Sequence, residues 1–114
     1  MTGHPDEAFK IVDAAEWTVA VAAGRYGGSA VDLADGYIHL SAQDQLAGTV
    51  SKHYAGRQSL LLLTVDLTVL GETIVWEPSR DGALFPHIYG PLPVAAVTAK
   101  RAFSVSADGE MIFA

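Results

Sequence analysis

The chain has 114 residues, half of them hydrophobic and 18% charged, with a net charge of −6 and no cysteine. That is one globular domain's worth of chain, long enough to bury a core without staples. It excludes disulfides, Cys-ligated zinc and thiol catalysis, and an acidic chain with no basic stripe argues against a nucleic-acid surface.

Residues 1–7 read as a loose polar tail and 8–114 as a single domain. No signal peptide is visible, and the longest apolar run, Leu60 to Val65, is far short of a membrane span. The expectation is a cytoplasmic protein with no membrane partner. Ala8 to Val12 reads as the first strand. Lys10 faces away from Phe9 and Ile11, either toward solvent or into a site. Asp13 is placed to cap a helix, with Glu16 in its first turn, and Trp17 and Val21 follow at helical spacing. Gly24 stops it. Arg25 to Gly36, with glycines at 27, 28 and 36, reads as a connector.

Asp35-Gly36-Tyr37-Ile38-His39-Leu40-Ser41 is the most informative stretch. A turn leads into a short strand at Tyr37 to Leu40, which puts Tyr37 and His39 on one face. Ser41 then reads as an N-cap with Asp44 three positions on. A free helix N-terminus beside a histidine suits an anionic ligand. The helix that follows carries Leu46, Val50 and Tyr54 at i, i+4 and i+8, with Ala47 widening the stripe. Its His53 and Arg57 complement the helix dipole.

Ser59 to Asp66 is apolar at both parities, which predicts a central strand buried on two faces, Leu62 included. Thr73 to Glu77 reads as a strand blocked by Pro78. Three prolines around His87-Ile88-Tyr89 predict irregular backbone that carries a pocket on a loop. Val94 to Val105 reads as a long strand with Val97, Phe103 and Val105 on one parity. The Asp108-Gly109 turn returns Glu110 to Phe113 against it. Helices early and strands late predict an α+β domain with two main helices, not an alternating parallel array.

The ionisable residues that caps and surface do not absorb are His39, Glu77, Arg80 and His87, with Tyr37 and Tyr89 beside the histidines. Histidines can move protons near neutral pH, and an Arg–Glu environment can hold phosphate or carboxylate. His39, His87 and Glu77 also form a chemically possible two-His, one-carboxylate metal set, but no short ligand spacing supports it and no metal is expected. No phosphate loop, nucleophile elbow or dinucleotide-fold fingerprint is present.

The chain resembles the domain of unknown function 952 family. The resemblance runs through Phe9-Lys10-Ile11-Val12, Glu16-Trp17, Gly24-x-Tyr26, Asp35 to Ser41, Gln45, Leu61 to Asp66, Trp76-Glu77-Pro78-Ser79-Arg80 and Phe85 to Leu92. That family is grouped with ADP-ribosyltransferase-like folds, so the resemblance implies small antiparallel sheets split around an NAD cleft. Ile38-His39-Leu40-Ser41 is similar to the Val-His-Leu-Ser strand of RNA 2′-phosphotransferases. The His-Gly-Thr of their first strand has no match in Phe9-Lys10-Ile11-Val12. The resemblance implies an enzyme acting on NAD, ADP-ribose or a phosphorylated derivative, with NAD as substrate, or else a binding module for such an anion. In the enzyme reading His39 and His87 are acid/base and orienting groups, and Glu77 stabilises a ribosyl cation. Lys10, Tyr37, Ser41, Arg80, Tyr89 and Gly90 would contact the ligand.

Overall fold

The structure is a computed structural model and describes residues 5–79 and 82–113. Its strands are β1 (Glu7–Asp13), β2 (Arg25–Tyr26), β3 (Ile38–His39), β4 (Leu60–Asp66), β5 (Ile74–Pro78), β6 (Leu84–Ile88), β7 (Leu92–Pro93), β8 (Val97–Val105) and β9 (Met111–Phe113). The helices are α1 (Ala14–Ala23), α2 (Ala30–Asp35) and α3 (Gln43–His53). Every strand pairing is antiparallel, in sheets ordered β1-β4-β8-β9, β3-β6-β5 and β2-β7. The α+β expectation holds, with a third, short helix added to the two main ones. Of the predicted tail, Glu7 already belongs to β1, and the Asp6 carbonyl accepts the Leu67 N–H. Among the described residues no helix is long and apolar enough to cross a membrane.

β4 lies between β1 and β8 and is covered on both faces, as its double-parity apolar run requires. Leu61, Leu63 and Val65 face the main core with Ala8, Val12, Trp17 and Ile88, while Leu60 and Leu62 face a smaller core with Ile11, Val50 and Phe103. Leu62 is only half buried, whereas Leu63 is fully buried. The Leu46, Val50 and Tyr54 stripe covers the smaller core as expected, but Ala47 points to solvent.

Several local expectations change. In α1, Trp17 and Ala20 are buried and Val21 is half exposed, because the helix packs through an i, i+3 pair. Val94–Ala96 is a 3-10 turn rather than strand. Val97 packs on the main core while Phe103 and Val105 fill the smaller one. The register shift opposite Thr64 and Val65 inserts one residue into β8, and this reverses which face each parity meets. The connector reading of residues 25–36 is overturned too. Arg25–Tyr26 pairs with β7, and Ser29 caps α2, whose Asp32 side chain bonds back to the Ser29 N–H.

The first half of the stretch expected to be an irregular proline-clamped loop is instead β6, the middle strand of its sheet, while residues 89–91 do form the irregular part. Pro86 is tolerated because of where its missing donor falls. Its carbonyl accepts the Leu40 N–H, so its ring nitrogen faces the same way, just past the end of β3.

Candidate functional site

Alternation on the β3-β6-β5 sheet sorts the residues cleanly. Ile38, Leu40, Ile74, Trp76 and Ile88 pack into or against the main core. The opposite face carries Tyr37, His39, Glu77, Phe85, His87 and Tyr89, with His39 directly across from His87 and Glu77 across from Phe85. Just past β3, the edge of this sheet meets the free edge of β1 in an isolated bridge, where Phe9 and Ser41 exchange both backbone hydrogen bonds at 2.8 and 2.9 Å. Beyond that bridge the sheets part. A cavity of about 550 Å³ opens there, lined by β1, α2, α3 and β6, a size suited to a small-molecule ligand.

His39 and His87 share this cavity, with ring centroids 5.4 Å apart. They are 48 positions apart in sequence and are brought together by one cross-strand register. Tyr37 stacks on His87 at 4.2 Å and lies 4.7 Å from His39 and 5.3 Å from Tyr89. Each histidine is tied to a carboxylate. His87 Nδ1 lies 2.6 Å from Glu77 Oε1, and the Tyr89 hydroxyl donates to Glu77 Oε1 and Oε2 at 2.8 and 3.1 Å. These bonds, His87's first and Tyr89's next, hold the Glu77 carboxyl below the ordinary range, and the same contact pushes the Tyr89 phenol up. Glu77 therefore orients His87 and does not itself line the cavity. That is a different place from the one expected for a group facing a ribosyl cation.

His39 has both ring nitrogens engaged: Nδ1 with Asp32 at 2.6 Å and Nε2 with Asp35 at 2.9 Å. Asp32 is the residue on which this half of the site is built. It is 2% exposed and holds the Lys10 ammonium at 2.9 Å. It also accepts the backbone N–H groups of Ser29 at 2.9 Å and His39 at 3.1 Å. Burial alone would push its carboxyl up, but Lys10 and the bonds from His39 and the backbone outweigh that and hold it low. Lys10 is 4% exposed, and burial pulls its ammonium below the usual lysine range despite Asp32. So Lys10 does line the cavity, but as half of a buried ion pair and not as a free phosphate clamp.

Low carboxyl values at Asp32 and Glu77 predict a specific acid response. The unfolded carboxyls take up protons first, so the stabilisation is complete above the ordinary carboxylate range of about 4 and is lost as pH falls below it. Urea midpoints should therefore hold level from pH 7 to about 5 and then drop. Asp32→Asn should make that drop shallower, and an unchanged slope would contradict the assignment. Lys10 gives a slope of the same sign in a different window: its depressed amine costs stability while the amine is charged, and that cost is relieved as pH rises toward the ordinary lysine range of about 10.

Ser41 lines the cavity but is not the helix cap. Its hydroxyl pairs with Thr49 Oγ1 at 3.0 Å, and Ala42 takes the cap position, its N–H donating to Gln45 Oε1 at 2.9 Å. Gly90 follows β6 and does not line the cavity, and Arg80 lies outside the described residues. Asp32, Tyr26 and Arg57 also line the cavity and were not read as site residues from sequence. The Tyr26 hydroxyl is buried and meets no hydrogen-bond partner among the described residues. Burial, then the charges of Asp32 and Glu16, push this phenol up and keep it a neutral donor. Arg57 sits over the Tyr54 ring at 5.2 Å. Among the described residues no three His, Asp or Glu side chains are grouped to hold a metal ion. Of the His39, His87 and Glu77 set, carboxylates lie on both His39 nitrogens and Glu77 lies behind His87.

The crystal structure of protein CC0527 from Caulobacter crescentus is similar to this chain at 49% identity and a TM-score of 0.88, over 93% of each chain. The solution NMR structure of CC0527 gives 50% identity and a TM-score of 0.80, over 92% of this chain and 90% of that one. No curated protein matches. The family described as "Protein of unknown function (DUF952)" matches residues 11–100, which carry His39, Asp32, Glu77 and His87, and the chain belongs to that family.

Proposed function

We propose that the cavity binds a phosphorylated nucleotide derivative of the NAD or ADP-ribose class, and that His87 is the group that moves a proton there. The observation that carries this reading is the Glu77–His87 pair at the cavity wall. With Nδ1 held by Glu77, Nε2 is the ring nitrogen that serves a ligand hydroxyl or an attacking water. On NAD, water would attack the ribose carbon as nicotinamide leaves, with His87 taking the water's proton. Arg57 and Ser41, which line the cavity, would meet phosphate oxygens. Two sheets parting at the Phe9–Ser41 bridge accord with the split sheets of an ADP-ribosyltransferase-like fold.

A second reading is a module that binds such a ligand without turning it over. It is favoured by the first strand, where Lys10 is locked to Asp32 and no histidine or glycine stands to hold a ribose. Both readings predict that ADP-ribose at a hundred times its dissociation constant adds about 2.7 kcal/mol to the folded state. For a domain of this size that raises the melting temperature by about ten degrees. Arg57→Ala should weaken the shift, and inorganic phosphate should give a smaller one. Nicotinamide release from NAD, lost in His87→Ala, separates the enzyme from the module. No shift with ADP-ribose or NAD at millimolar concentration contradicts both.

A further inference from the structure

Lys10 is a buried amine that the proposed reaction leaves unused. It sits on the cavity wall between Ala8 and Val12 and is 4% exposed, with Nζ held 3.2 and 2.9 Å from the two oxygens of Asp32. Asp32 does not depend on it for balance. The same carboxylate receives His39 Nδ1 at 2.6 Å and two backbone N–H groups at 2.9 and 3.1 Å. Asp32 can therefore keep its charge partnered when the amine is neutral or has been converted to something else. Burial is one of the ways a lysine amine is made a nucleophile.

We propose that Lys10 captures a small aldehyde bearing an acidic group as a protonated imine inside this cavity. The ammonium releases one proton along its hydrogen bond to Asp32, and the amine lone pair bonds to the carbonyl carbon. The carbonyl oxygen takes that proton and one from the nitrogen and leaves as water. The nitrogen of the double bond that remains keeps one of its three hydrogens, and the imine carries the single positive charge that the ammonium carried. Asp32 faces that charge at the distance it now faces Lys10. Arg57, on the same cavity, is the cation available to the acidic group. Burial, which lowers the amine's proton affinity, works in the same direction. This inference stands whether or not the cavity also takes a nucleotide.

The test is reductive trapping. Glyoxylate and sodium cyanoborohydride are added to the native protein at neutral pH, and the modified lysines are located by peptide mass mapping. The chain has three lysines, at 10, 52 and 100, and the latter two are exposed. Lys10 should carry the adduct at least about ten times more often than Lys52 or Lys100, and the preference should vanish in urea. That contrast tests reactivity in place and does not require a variant to fold. Lys10→Arg, which keeps the cation, should lose the preferred adduct while Lys52 and Lys100 react as before. Adducts on Lys52 and Lys100 with none on Lys10, or equal labelling in native and denatured protein, would overturn the proposal.

Discussion

Asp32→Ala should destabilise the protein by about 3–5 kcal/mol, the range for breaking a buried ion pair by removing one partner. The cost arises from what is left behind. Lys10 would remain 4% exposed with no carboxylate beside it, and the Ser29 and His39 N–H groups would lose their acceptor. Half of the α2 capping box would go as well, since its reciprocal bond runs through the Asp32 side chain, while the Ser29 hydroxyl would still accept the residue 32 N–H. Asp32→Ala combined with Lys10→Met should recover much of the loss, because the orphaned charge is removed with its partner. Urea unfolding of the two single variants and the double variant measures this directly. A loss below about 1 kcal/mol for Asp32→Ala would mean that the ion pair is not buried as described.

Leu63→Ala should cost about 2–5 kcal/mol, as for other large-to-small changes in a full core. Leu63 is fully buried and sits between Lys10 on β1 and Lys100 on β8, with the main core beneath it. Strands hold it on both sides, so the cavity cannot collapse by moving a loop. Leu62→Ala should cost clearly less, since Leu62 is half buried and faces the smaller core. The pair therefore tests the faces of β4 as well as its burial. Equal losses at the two positions would mean that the two faces are packed alike. Thermal melts serve as a second readout, with a fall of about ten degrees or more expected for Leu63→Ala.

Much of this was legible in the sequence, and the reasons for the exceptions are physical. The two-sided burial of β4 follows from an apolar run at both parities, and α1 and α3 follow from caps and spacing. The convergence of His39 and His87 was legible because each sits beside a tyrosine on a short extended segment. Asp32 was not, because its carboxylate looks like any surface acid until the fold closes over it. Its one signal was Ser29 three positions earlier, a capping spacing inside a stretch read as a glycine connector. A six-residue helix is also too short to show a period. β6 was hidden by its prolines, since nothing local reveals that the missing donor of Pro86 falls beyond the end of β3. Ser41 was read as a cap because its residue type is right. Gln45, one position beyond Asp44, is what fixes Ala42 there instead.

A nucleotide-class ligand that occupied the cavity, as proposed, would sit against His87. The most direct measurement is an NMR titration of the histidine ring resonances with ADP-ribose. His87 and His39 should shift saturably with one shared dissociation constant, and the tyrosine resonance of Tyr37, stacked on His87, should move with them. NAD should compete for the same change. Ring resonances that stay fixed while backbone signals elsewhere saturate, or no saturable change at millimolar ligand, would contradict it.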